Sequence, residues 1–438
     1  LMPVLTFPLS RIEGHASVEI EVRDGRVIST RFKASEKRGF NYLIQGVPAE
    51  QISVIVPRIC GVCSTAHHVA AVKALEDAYG VTPTPLGQRI RSLLLLGQMI
   101  QNQATSLFIF TMPDRLGVDS LFHVSEEEAS REDQFNIARR ALQIRQLGTS
   151  LITLAGGQFI HPVKAVVGGV TSGVLPEAAE KMIGQLQRLL PTACELFDFY
   201  WQMSVKLKER IGTWGDDAPA HYITSTAEEC PDYNSHDIRL LDLQGACCQT
   251  FTARHFREHL QFEETDYSFA GRTSYQGEVM RANSLARANM TRRMGTPRAD
   301  EYLQKFFTSF GHPAHAILLF DLCRGVELVY AIERAIELLS QPLHNEDPFV
   351  SYKPRDGEGY GLVEAPRGPL IHHYVIEGGK IFRGEFIIPT IHNMLAIERA
   401  LRVAAERYVT SDSINLELER AVGRVVRAFD PCIACATQ

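Results

Sequence analysis

The sequence reads Arg58-Ile-Cys60-Gly-Val-Cys63-Ser-Thr-Ala-His67 near one end and Asp430-Pro-Cys432-Ile-Ala-Cys435 at the other, and these two Cys-x-x-Cys pairs constrain the fold more than any other feature. The first pair sits where a helical pattern begins: Ala66-His-His-Val-Ala-Ala-Val-Lys-Ala-Leu-Glu-Asp-Ala-Tyr79 has helical period and stops at Gly80. Unpaired backbone N–H groups and the helix dipole favour a thiolate at such a position, and the thiolate is the form that binds metal. If the second pair joins the first, the fold must bring the two ends of the chain together around a soft, sulfur-rich site. Three other readings stay open from spacing alone. A structural zinc site usually takes its cysteines from one small knuckle, a thioredoxin-like redox pair leaves the second pair unexplained, and the cysteines can be unrelated core residues.

The chain has 438 residues, which at ~150 residues per domain allows three domains or one large body. Hydrophobic residues make up 45% and charged residues 22%, excluding wholesale disorder. A net charge of −6 gives no support for phosphate-backbone binding, so no nucleic-acid partner is expected. Of the 9 cysteines, Cys194, Cys230, Cys247, Cys248 and Cys323 are scattered singletons; this is too sparse for a disulfide scaffold and fits a reducing compartment. No apolar run approaches the roughly 18 residues of a membrane span. The first residues lack the basic and apolar regions of a cleavable signal, so a cytoplasmic location is expected.

The rest of the sequence predicts a mainly α fold with small β-sheets, an α+β architecture. Alternation over His15–Val22 and Val27–Phe32, separated by Asp24-Gly25, predicts a hairpin. Helical patterns cover 86–110, 126–155, 176–190, 191–211, 298–311, 324–339 and 393–408. Pro191 is expected to start or kink a helix rather than sit inside one. No linker separates independent units. The expectation is one interdigitated body over 1–438, with 1–85 carrying the first cysteine pair, 86–340 a helical middle and 341–438 the second pair.

Arg11-Ile-Glu-Gly-His15, the cysteine pairs with His67, Glu364-Ala-Pro-Arg-Gly368 and Pro389-Thr390 occur in the order found in the large subunit of nickel–iron hydrogenases, which the chain resembles from end to end. Ile160-His-Pro-Val-Lys164 and Gly168-Gly-Val170 resemble its cytoplasmic, cofactor-coupled branch. The resemblance implies reversible heterolysis of H2. It implies nickel held terminally by Cys60 and Cys432, with Cys63 and Cys435 bridging to an iron that carries carbon monoxide and two cyanides. Pro366, Arg367 and Thr390 are placed against those ligands, and Cys432 takes the proton and passes it to Glu13. His67, four residues after Cys63, is expected to reach back to a cysteine sulfur within one turn and orient it. His68 is expected to be structural.

Relatives commonly hold a third metal, often magnesium, with a glutamate and a C-terminal histidine. Here Asn41 and Gln438 stand at those positions, with the Phe386 carbonyl as the remaining protein ligand. Two outcomes are expected as alternatives: a weak site built on the amide oxygens, or a direct hydrogen bond between the two amides. Asn102 and Gln103 likewise replace a polar–histidine pair. The five remaining cysteines have no cluster spacing and no Gly-x-Gly-x-x-Gly fingerprint follows a strand. Electrons must therefore leave through an iron–sulfur small subunit, and any nicotinamide or flavin belongs to a partner. Two other readings compete: the quinone-site subunit of respiratory complex I, which lacks the nickel cysteines, and a structural zinc protein acting as a scaffold.

Overall fold

The computed structural model describes residues 4–122, 128–211, 219–411 and 413–438. Strands β1 (Val4–Pro8), β2 (Ala16–Arg23) and β3 (Arg26–Ala34) form an antiparallel sheet in chain order. Its hairpin turns at Asp24 and Gly25, with φ of 50° and 70°, the two positive values that a tight two-residue turn requires. Along β2 the residues Ala16, Val18, Ile20 and Val22 are buried and their neighbours face outward, as strand periodicity dictates.

Long helices build the body: α1 (Ser64–Tyr79), α2 (Pro85–Ala104), α3 (Glu128–Gly156), α4 (Pro176–Lys206), α5 (Leu319–Leu339), α6 (Pro389–Tyr408) and α7 (Leu416–Phe429). Helix α2 starts on Pro85 with the Thr84 hydroxyl accepting the Gly87 N–H, a capped beginning. Its backbone then widens into a π-helical stretch over Thr105–Thr111, so the pattern over 86–110 is not one regular helix. Glycines let α2 and α3 touch closely: a Cβ on Gly148 would lie 2.5 Å from the Gln101 nitrogen.

The sequence expectation fails at Pro191. Helix α4 continues through it to Lys206 rather than dividing into 176–190 and 191–211. The proline is solvent-exposed, while Leu186, Ala193, Leu196 and Phe197 bury the opposite face on both sides of it. That shared apolar face outweighs the one lost backbone hydrogen bond. Helix α7 and a four-stranded sheet over 221–281 carry no sequence expectation, and residues 126 and 127 of the predicted helix 126–155 lie outside the described residues.

The Gly-rich segment after residue 356 forms β4 (Gly357–Ala365), β5 (Gly368–Glu377) and β6 (Lys380–Ile387), an antiparallel sheet laid on α1. Gly361 permits the approach, since a Cβ there would sit 2.6 Å from the Ala74 nitrogen. The two ends of the chain meet beside this sheet. Glu13 and Cys432 form a parallel β-bridge, the Ile433 N–H donates to the Glu13 carbonyl at 3.0 Å, and the Arg38 N–H donates to the Thr437 carbonyl at 2.7 Å.

Candidate metal centre

Cys60 follows the 3-10 turn Val56–Ile59, and Cys63 sits directly before α1, so the backbone turn places both sulfurs at the helix start. Helix α7 ends on Asp430 in the left-handed region, φ 48°, which turns the chain and delivers Cys432 and Cys435 to the same point. All four sulfurs are buried and lie within 4.8 Å of one another. Cys432 Sγ is 3.4 Å from Cys60, 3.8 Å from Cys63 and 2.9 Å from Cys435, too far for any disulfide. Hydrogen bonds from Cys432 and Cys435 pull the Cys60 and Cys63 thiols down, with the Arg367 charge assisting at Cys63. Burial pushes Cys432 and Cys435 up. Four convergent soft donors, two of them favoured as thiolates, fit a thiophilic transition metal.

Glu13 Oε2 accepts from Cys432 Sγ at 2.9 Å and from the Ala434 N–H at 3.2 Å. Burial and the nearby Cys60 push its carboxyl up to about 6. A clamp holds this segment in place: Asp114 accepts from Arg11 at 2.7 Å and from Arg427 Nε at 2.7 Å, joining the strand end before Glu13 to α7 before Cys432. Arg367 is buried, donating from Nη1 to Cys63 Sγ at 3.2 Å and from Nη2 to Asp430 at 2.9 Å. Its neighbour Pro366 is buried in the β4–β5 turn and its carbonyl accepts from Arg287 at 2.8 Å. Thr390 lies one residue into α6, past the capping position, and its hydroxyl accepts the Cys432 N–H at 3.0 Å.

His67 does not reach back to Cys63. Its Nε2 faces Cys435 Sγ at 3.4 Å, because α1 points the side chain across to the other end of the chain. Its Nδ1 meets His372 Nε2 at 2.9 Å, and His372 Nδ1 meets the Tyr374 hydroxyl at 2.6 Å. Sequence reading missed the latter two residues; their alternate spacing on β5, which points both to one face, was the available signal. His68 is structural, as expected, tied to the Ser53 carbonyl and the Ala165 N–H. Asn102 donates to Asp430 at 3.3 Å and Gln103 to Glu327 at 2.5 Å, bracing the buried ion pairs rather than the sulfurs.

Asn41, Phe386 and Gln438 line one cavity of about 310 Å³. The expected hydrogen bond between the two amides is not formed. Gln438 Nε2 donates to the carbonyls of Ala434 and Cys435, at 2.6 and 3.1 Å, and both Asn41 Oδ1 and Gln438 Oε1 are buried without a protein partner.

A buried four-cysteine centre joined to a raised carboxyl and a buried arginine defines a metalloenzyme. The family of nickel-dependent hydrogenases matches residues 38–135 and 227–438. The alpha subunit of sulfhydrogenase 1 from Pyrococcus furiosus is 30% identical, covering 99% of this chain and 97% of that one. The beta subunit of the NAD-reducing hydrogenase HoxS from Cupriavidus necator is 28% identical over 98% of this chain and 93% of its own. Among solved structures, an NAD+-reducing [NiFe]-hydrogenase in the H2-reduced state superposes with a TM-score of 0.92 at 26% identity, covering 99% of both chains. The chain belongs to the nickel-dependent hydrogenase family, as a hydrogenase large, catalytic subunit. The quinone-site and zinc-scaffold readings fall with that assignment. No helix among the described residues is long and apolar enough to cross a membrane.

Proposed function

We propose that this protein catalyses reversible heterolytic cleavage of H2, to two protons and two electrons, at a nickel–iron centre held by Cys60, Cys63, Cys432 and Cys435. The observation that carries the reading is the buried four-sulfur cluster with a carboxyl 2.9 Å from one of its sulfurs. In this reading Cys60 and Cys432 would serve as the terminal ligands of nickel and Cys63 and Cys435 would be shared with iron, whose remaining ligands would be carbon monoxide and two cyanides. When bound, the metals supply Lewis-acid and redox chemistry that polarises H2 and takes up its electron pair.

The chain's own groups do the rest. Cys432 Sγ receives the proton and Glu13 Oε2 takes it on, a transfer within hydrogen-bond reach to a carboxyl whose affinity for protons burial has raised. Arg367 holds a fixed positive charge against the cluster, kept in place by Asp430, and with Pro366 it would lie against the diatomic ligands. Thr390 orients Cys432 by accepting its backbone N–H, and its hydroxyl would be available to hold a cyanide. Electrons pass to an iron–sulfur small subunit, and the enzyme works in the cytoplasm with cofactor-coupled partners, as the NAD-reducing activity in a relative's name supports. Exposed Tyr42 and Leu43, near the first cysteine pair in the chain, suit that partner's surface. The purified complex is expected to exchange hydrogen isotopes between D2 and water; absence of exchange by metal-loaded protein overturns the reading.

The two orphaned amide oxygens, with the Phe386 carbonyl, would form a weak magnesium site whose own donors are neutral, in a cavity also lined by Glu264, Glu385 and Lys37. Asn41→Glu is therefore expected to tighten magnesium binding by about tenfold or more, roughly 1.4 kcal/mol. Calorimetric titration with magnesium alone measures it, and unchanged affinity argues against the site.

A further inference from the structure

Two hydrogen-bonded lines reach the sulfur cluster from different sides, and they end differently. Glu13 stands on Cys432 and is a carboxyl able to take a proton. The line on Cys435 runs through His67, His372 and Tyr374, with contacts of 3.4, 2.9 and 2.6 Å, and stops inside the core. All three side chains are essentially inaccessible, at 1%, 0% and 0% exposure. Phe386 closes the flank, its ring 4.7 Å from that of His372 and 6.4 Å from that of His67, both edge-on.

Hydrogen counting fixes the direction of this line. Among the described residues the Tyr374 hydroxyl has one hydrogen-bond partner, His372 Nδ1. Were that nitrogen protonated, the phenolic hydrogen would face apolar core with no acceptor, which is costly in a buried site. The hydroxyl therefore donates, His372 carries its hydrogen on Nε2 and donates to His67 Nδ1, and His67 carries its hydrogen on Nε2, aimed at Cys435 Sγ. Neither ring touches a carboxylate, and along the line each ring has one nitrogen to donate and one to accept.

We propose that His372 and Tyr374 are positioning residues that lock His67 into the Nε2–H tautomer, so that a fixed hydrogen-bond donor is held against Cys435 Sγ while Cys432 Sγ faces the Glu13 carboxyl instead. The inference rests on the nickel–iron reading of the site. It makes the two sulfurs of the Cys-x-x-Cys pair chemically unequal through groups that never touch substrate. The line cannot conduct protons outward, because it ends blind at Tyr374, and its effect is to draw electron density from the Cys435 sulfur.

The test uses the holoenzyme and three variants: Tyr374→Phe, which removes one oxygen, His372→Phe, and His372→Gln, which restores an N–H donor. The infrared carbonyl band of the iron is expected to move to lower wavenumber in His372→Phe and by a smaller step in Tyr374→Phe. In His372→Gln it returns toward the native position. Histidine ring 15N spectra of the full-length chain are expected to place the His372 hydrogen on Nε2, and to lose that single tautomer in Tyr374→Phe. A native carbonyl band in all the variants, or a His372 hydrogen on Nδ1, overturns the inference alone. A wild-type enzyme without carbonyl and cyanide bands overturns the nickel–iron reading and the inference with it.

Discussion

Cys432→Ser is expected to lower hydrogen–deuterium exchange by at least ~10³-fold, because on the proposed mechanism one substitution removes a soft ligand and the proton acceptor together. Cys432 is the centre of the cluster: its sulfur contacts the three other cysteines at 2.9 to 3.8 Å and Glu13 at 2.9 Å. A serine hydroxyl is a poor, hard donor that stays protonated at neutral pH, so nickel retention should fall as well. The residue is 1% exposed, the two side chains are similar in size, and the Thr390 bond to its backbone survives. An unchanged far-ultraviolet circular dichroism spectrum is therefore expected alongside the lost activity. Exchange near the native rate would remove Cys432 from the reaction.

Glu13→Gln is expected to slow exchange by ~10²–10⁴-fold with both metals retained, the cost of losing one positioned acid–base group. Glutamine keeps an oxygen for the Ala434 N–H, which Glu13 Oε2 accepts at 3.2 Å, so the local fold persists. It cannot take the proton from Cys432. The Arg11–Asp114–Arg427 clamp keeps residue 13 against the cysteine in either case, which separates a chemical loss from a positional one. Metal content by elemental analysis and exchange rate on the same sample measure the effect; a native rate shows that the proton leaves Cys432 by another route.

The sequence made the four cysteines legible because each pair is local, with a spacing that has few other uses. Glu13, Arg367 and Thr390 were legible only through the company of their motifs. As isolated residues they read as a surface carboxylate, a turn arginine and a helix cap, whereas folding places all three in the buried centre or against it. His372 and Tyr374 were not legible. Their partner His67 lies 305 positions from His372 in the chain, and an inward-facing histidine on a strand has the same pattern as a core residue. The His67 contact shows the limit of local geometry: a spacing of four pointed to Cys63, while the packing of α1 against the chain's other end selected Cys435. Pro191 errs the same way, since a local rule about proline gave way to a continuous buried face along α4. The hairpin at Asp24-Gly25 needed nothing beyond its neighbours and was read correctly.

The central claim is that the four sulfurs hold nickel and a diatomic-ligated iron. Elemental analysis combined with infrared spectroscopy on the purified complex tests it most directly. One nickel and one iron per catalytic chain, beyond any iron that a partner subunit carries, with carbonyl and cyanide bands, is the predicted result. Zinc in place of both metals, with no such bands, would contradict it.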